Sequence, residues 1–227
     1  MNNKFYKIIL SLLIILFFQT DVLKAQSGKF QNEIDAFAHS DSIVAPIKGK
    51  IVFAGSSSFT KWKDVGQYFP GYPIVNRAFG GSTLEDVIQY AKETILQYEP
   101  KQVVIYCGEN DLANNDQVTP DVVFARFTTL FHIIRNKLGT STRITFISLK
   151  PSVARWHLQP KYMTTNQLIS AFLSKQKNAE FIDVQAAMLL PDGSVMKDIF
   201  IADNLHMNAK GYAIWQKIMA DKLLTKF

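Results

Sequence analysis

Five short apolar, β-rich runs, separated by longer stretches of helical period, constrain this chain more than any other feature. The runs are Lys50 to Ala54, Ile74 to Ala78, Gln102 to Cys107, Arg143 to Leu149 and Glu180 to Val184. They are nearly continuous in apolar residues, as strands covered on both faces must be. Between them Leu84, Val87, Ile88, Ala91 and Ile95 recur at helical spacing, and Glu99-Pro100 closes the segment. Val123, Phe127, Leu130, Phe131, Ile134 and Leu138 do the same before Gly139, a C-terminal cap residue. Leu168, Ile169, Phe172 and Leu173 mark a further helix, and Tyr212, Trp215, Ile218, Met219 and Leu223 mark the last, with Asn208 as N-cap. Phe30, Ile34 and Phe37 predict a short amphipathic helix ahead of the first strand. Strand–helix alternation of this kind predicts an α/β fold, a three-layer α/β/α sandwich around a five-stranded, mostly parallel sheet. In such sheets the chemistry collects in the loops beyond the carboxyl ends of the strands.

The sequence of 227 residues, 48% hydrophobic and 19% charged, suits one globular domain with a full core. Residues 1–25 stand apart. Lys4 and Lys7 precede an apolar run from Ile8 to Phe18, and Ala25 follows in Leu23-Lys24-Ala25-Gln26. A basic start, a short apolar core and a small residue near the cut describe a secretory signal, with cleavage expected after Ala25 and a periplasmic or secreted product. Retention as an uncleaved anchor is the alternative, although a membrane span needs about 20 apolar residues. The domain then covers 26–227. Removing three lysines and one aspartate with the signal lowers the net charge from +6 to +4. The basic residues are scattered, so no nucleic-acid partner is indicated, and no stable membrane association is expected once the signal is gone. The single cysteine, Cys107, excludes an internal disulfide and reads as a buried, inert thiol. His39, His132 and His157 are too scattered to suggest a zinc site, and no metal or other cofactor is expected.

The strand-end loops carry the chemical signals. After the first strand comes Gly55-Ser56-Ser57-Ser58: glycine permits a sharp turn, and a serine beyond it can present its hydroxyl where helix N–H groups are free. A serine N-cap is the plain alternative. Neither a Walker loop nor a Gly-x-Ser-x-Gly elbow is present. After the second strand comes Asn76-Arg77-Ala78-Phe79-Gly80-Gly81-Ser82-Thr83, where the Gly81 N–H could serve an oxyanion, or the loop could be a turn capped by Ser82 or Thr83. After the third comes Gly108-Glu109-Asn110-Asp111, whose amide is a further possible oxyanion donor or an Asx turn. Near the C-terminus, Asp203-Asn204-Leu205-His206 sets a carboxylate one helical turn from an imidazole, close enough to orient the ring. That is the acid–base half of a nucleophilic triad, or a hydrogen-bonded surface turn.

In order and spacing, Gly55-Ser56-Ser57, Gly81, Gly108-Glu109-Asn110-Asp111 and Asp203-Asn204-Leu205-His206 resemble the SGNH, or GDSL-like, hydrolases from about Ile51 to the final helix. The resemblance implies Ser57 as nucleophile, with Asp203 and His206 completing the triad. It implies an oxyanion hole built from the Ser57 and Gly81 N–H groups and the Asn110 amide, and a flavodoxin-like sheet with the first strand between the second and third. The family's Gly-Asp-Ser-Leu reads Gly-Ser-Ser-Ser here, so Ser56 replaces the acid, Ser58 the leucine, and the serine register rests on Ser57 following the acid's position.

The implied function is an exported serine esterase or acylhydrolase that cleaves a carboxylic ester through an acyl-enzyme, acting on acylated carbohydrate or small acyl esters. A lysophospholipase-like lipid esterase, an acyltransferase and a non-catalytic carbohydrate-binding module are the alternatives. Glu109, Asp111 and Arg77 lie near the expected site, as substrate contacts or as salt bridges at loop bases. Arg155-Trp156-His157 could wall it for a sugar or acyl chain, with a plain core or surface Trp the competing reading.

Overall fold

The computed structural model describes residues 28–45 and 48–224. The segment read as a secretory signal lies outside them. The five expected strands form as β1 (Ile51–Gly55), β2 (Ile74–Asn76), β3 (Gln102–Tyr106), β4 (Arg143–Ile147) and β5 (Ala179–Ile182). They pair in the order β2-β1-β3-β4-β5, every pair parallel, so the sheet is wholly rather than mostly parallel. The strand order is the flavodoxin-like one, with chain reversal at β1 and β3.

Successive residues of β1 and β3 feed opposite cores, and that alternation creates the three layers. Val52, Ala54, Val103 and Ile105 pack on one face with Leu84, Phe127, Phe131 and Ile169. Ile51, Phe53, Val104 and Tyr106 pack on the other with Phe59, Trp62, Trp215 and Met219. The first core is closed by α1 (Gln31–Ile43), α4 (Leu84–Gln89), α5 (Ala91–Thr94), α7 (Pro120–Leu138) and α8 (Gln159–Leu173). The second is closed by α2 (Ser57–Thr60), α3 (Val65–Tyr68) and α9 (Ala209–Met219). There Trp62 stacks on Tyr212 with ring centroids 4.7 Å apart, and Trp215 lies edge-on to Tyr106 at 4.8 Å. These two indoles are fully buried, and each such aromatic removes some 150–250 Å² from water.

Side-chain hydrogen bonds set several boundaries that periodicity alone misplaces. β2 stops at Asn76, two residues early, because the Asn76 side chain accepts the Ala78 N–H at 3.1 Å and donates to Phe59 O at 2.7 Å. β4 and β5 likewise end at Ile147 and Ile182, where Ser148 Oγ accepts from Val184 N and donates to Asp183. The expected Leu84–Ile95 helix breaks at Tyr90 into α4 and α5; its start is a Thr83/Asp86 capping box. The stretch after Gly108 is α6 (Glu109–Asn114), an element the sequence did not signal. Gly139 ends α7 and Asn208 caps α9, as expected.

Candidate active site

The carboxyl ends of β1, β2 and β3 bring three expected loops to one edge. Gly55 closes β1 at φ +132°, and a Cβ there would lie 2.0 Å from Tyr106 O, so only glycine lets β1 press against β3 at this point. The chain then enters α2 with Ser56 as N-cap and Ser57 as its first residue. The serine N-cap and the exposed-hydroxyl readings therefore both hold, on adjacent residues. Tyr212 from α9 donates to Ser58 O at 2.8 Å and holds α2 down from behind.

Beside it, Arg77 N and Phe79 N bond to Phe53 O and Gly55 O at 2.9 and 3.0 Å, carrying the glycine pair along the edge of β1. Gly81 adopts φ +82°, and among the described residues its N–H has no acceptor. From the other side, Asn110 in the first turn of α6 donates its Nδ2 to Ser82 O at 2.9 Å and to Ser56 Oγ at 3.1 Å. The Ser57 N–H also reaches Ser56 Oγ, at 2.6 Å. Two of the three donors expected in an oxyanion hole thus converge on one hydroxyl oxygen in this state.

The C-terminal motif folds as a turn rather than the helical turn its spacing allowed. Ile201 N bonds His206 O at 2.9 Å, Phe200 bridges Met207, and Asn204 sits at φ +56° between them. Asp203 Oδ1 accepts the backbone N–H groups of Leu205 and His206, both at 2.9 Å. Its Oδ2 lies 2.6 Å from His206 Nδ1. The turn and the acid–imidazole pair are one structure. Asn208 anchors it by donating to Asp198 O and Phe200 O. On its other side the ring reaches the first turn of α2, where His206 Nε2 stands 2.9 Å from Ser57 Oγ. Burial alone raises the Asp203 carboxyl, but hydrogen bonds from the His206 ring and from the His206 and Leu205 amides outweigh it and hold the pKa at about 2.

The structure separates the remaining candidates. Arg77 turns away to pair with Asp41 and to donate to Tyr98 Oη at 2.7 Å, fastening α1 to the fold. Asp111 caps α4 at Leu84 N and pairs with Arg126 at 2.8 Å. Glu109 takes buried Lys150 at 3.3 Å from both carboxylate oxygens. These are loop-base ion pairs rather than substrate contacts. Cys107 is buried beside Ser82 O, and burial pushes its thiol well up, away from nucleophilic reactivity. Trp156 is not core: it is 44% exposed and lines a cavity of about 460 Å³ with Val153, Val195 and Lys197. Arg155, next to it, donates to Asn110 Oδ1 at 3.0 Å, a contact 45 residues long in sequence that no local pattern announces. Among the described residues no three His, Cys, Asp or Glu side chains gather as metal ligands would, and no helix is long and apolar enough to cross a membrane.

A parallel sheet with a serine, an imidazole and a carboxylate in hydrogen-bonded series at its carboxyl edge has the form of an α/β acylhydrolase site. The chain belongs to the GDSL-like lipase/acylhydrolase family, whose model matches residues 41–214. It is thus an esterase/acylhydrolase-family enzyme. It is similar to the alpha2 subunit of platelet-activating factor acetylhydrolase IB from Rattus norvegicus, 26% identical over 172 residues that cover 72% of this chain and 71% of the relative. Among solved structures, a GDSL-like lipase from Bacteroides thetaiotaomicron superposes with a TM-score of 0.70 at 18% identity, covering 83% of this chain and 96% of the other. A catalytic mutant of an acetylxylan esterase from Geobacillus stearothermophilus gives 0.61 at 15% identity, covering 78% and 95%.

Proposed function

We propose that the chain is an exported serine esterase that cleaves a carboxylic ester through an acyl-enzyme. One observation carries this reading: the unbroken series from Asp203 Oδ2 through His206 to Ser57 Oγ, with contacts of 2.6 and 2.9 Å. His206 Nε2 takes the Ser57 proton as Oγ attacks the ester carbonyl, while Asp203 keeps the proton on Nδ1 and balances the imidazolium. The developing oxyanion, charged and a stronger acceptor than a neutral hydroxyl, draws the Ser57 and Asn110 N–H groups from Ser56 Oγ and takes the Gly81 N–H as well. Collapse expels the alcohol, which leaves with the proton from His206. Water, deprotonated by the same ring, then releases the acid and restores Ser57.

A short acyl group on a carbohydrate or other small alcohol fits best. Trp156, next in sequence to the Arg155 that reaches Asn110, offers an exposed indole face lining a cavity, suited to stacking on a sugar. The curated relative is by name an acetylhydrolase. Export is supported by the basic, apolar and small-residue order of residues 1–25. Labelling with a fluorophosphonate probe and mapping the modified peptide tests the mechanism. The adduct is expected on Ser57 and absent from Ser57→Ala; an adduct elsewhere, or none, overturns it.

A further inference from the structure

We infer that Arg155 is a positioning residue that holds the Asn110 amide in its catalytic orientation; this rests on the reading of Asn110 as an oxyanion donor. A carboxamide is nearly symmetric in shape, and its two ends differ only in hydrogen-bonding polarity. Turned over, Asn110 would present Oδ1 to the developing oxyanion, replacing attraction by repulsion. Two partners of fixed polarity prevent this. The Ser82 carbonyl can only accept, and takes Nδ2 at 2.9 Å. The Arg155 guanidinium can only donate, and takes Oδ1 at 3.0 Å. A cation on the oxygen end also polarises the amide, making its N–H the stronger donor.

A purely architectural role for this contact is already filled. The loop after β4 is tied to α6 one residue away by the buried Lys150–Glu109 pair, and to the His206 turn by Ala154 N–H on Asn204 O at 3.1 Å. The Arg155 side chain adds neither a helix cap nor an ion pair. No carboxylate among the described residues pairs with it; its guanidinium faces Asn110 Oδ1 and, on the α8 side, the buried Tyr162 hydroxyl. It stands half-buried between the oxyanion side of the site and the exposed Trp156.

The test is a double-mutant cycle between Arg155→Met and Asn110→Ala, read on p-nitrophenyl acetate, with Arg155→Lys as the folded, charge-retaining control. Removing one oxyanion donor typically costs about 10²–10³ in kcat. Arg155→Met is expected to lose about 10- to 100-fold in kcat, within that ceiling, with KM changed by less than about twofold. Arg155→Lys is expected to recover part of the loss. In the Asn110→Ala background, Arg155→Met is expected to cost less than about twofold more, because the group it positions is gone. An unchanged kcat in Arg155→Met, or losses that multiply in the double variant, overturns the inference and leaves the oxyanion reading standing. An Asn110→Ala enzyme with wild-type kcat overturns both.

Discussion

His206 Nε2 lies 2.9 Å from Ser57 Oγ although 149 positions separate the two residues. Their contact joins the N-terminus of α2 to a turn built just before α9, and every other feature of the site is arranged around it. Ser57→Ala removes only the hydroxyl from a half-buried position. Ester turnover is expected to fall on the order of 10⁴-fold or more, while the unfolding free energy stays within about 0.5 kcal/mol of wild type. Steady-state hydrolysis of p-nitrophenyl acetate and a denaturant melt check the two halves; appreciable turnover by the variant would remove Ser57 from the mechanism.

Asn110→Ala is expected to lower kcat about 10²–10³-fold with little change in KM, because the oxyanion exists only in the transition state. The substitution also removes a hydrogen bond from the Ser82 carbonyl and one from the Arg155 guanidinium, so a modest drop in thermal midpoint should accompany it. A rise in KM at unchanged kcat would instead assign Asn110 to ground-state binding.

Asp203 gives a pH prediction with a definite sign. Its folded pKa of about 2 lies below the ordinary 3.8, so its ionised form favours the folded state fully above about pH 4. That contribution is lost as the pH falls through 2. The side chain is 42% exposed, so solvent attenuates the effect. The difference in thermal midpoint between wild type and Asp203→Asn should therefore narrow steadily from pH 4 to pH 2. A difference that widens over that interval would contradict the assigned hydrogen bonding.

Two glycines should differ widely in the cost of substitution. An alanine Cβ at Gly55 would meet Tyr106 O at 2.0 Å, and the residue sits at φ +132°, so Gly55→Ala must separate β1 from β3. A loss of more than about 4 kcal/mol, or failure to accumulate as folded protein, is expected. At Gly81 nothing lies within 4 Å of an added Cβ, and only the φ of +82° opposes it. Gly81→Ala should cost about 1–2 kcal/mol, roughly 2–8 °C in midpoint for a chain of this size. Similar midpoints for the two variants would show that the β1–β3 approach is looser than described.

Trp156→Ala tests the substrate class. The indole is exposed, follows Arg155 in sequence and makes no part of either core. KM for an acetylated oligosaccharide is expected to rise several-fold, while kcat and KM for p-nitrophenyl acetate stay near wild type. Equal changes on both substrates would place Trp156 in maintenance of the loop rather than in sugar binding.

Much of the fold is legible before any coordinates. The runs around Val52, Val103 and Phe146 are nearly continuous in apolar residues because both faces of the sheet are covered, a pattern a half-exposed strand does not show. The caps at Thr83, Gly139 and Asn208 are legible because capping is a contact within three or four residues. The early end of β2 and the α6 helix are not legible. The first depends on Asn76 reaching Phe59 O, and the second on a six-residue segment too short to show a period.

For the site, the local pattern marks Gly55-Ser56-Ser57, Gly80-Gly81, Asn110 and the Asp203–His206 pair, because glycines at strand ends and an acid near an imidazole carry their chemistry in residue type and spacing. Spacing also permits Asp203 and His206 to face one another, since their contact spans three residues and needs no other part of the chain. The tertiary structure alone decides the rest. Arg77, Asp111 and Glu109 satisfy distant partners at Asp41, Arg126 and Lys150, and so leave the candidate site for the framework. Ser56 becomes the shared acceptor of Ser57 N and Asn110 Nδ2, and Arg155 reaches Asn110 Oδ1 from 45 residues away. Apart from the local Ser57 N contact on Ser56, these partners are separated along the chain by more than any helical or strand period, so assembly of the parallel sheet is what brings them within hydrogen-bonding range.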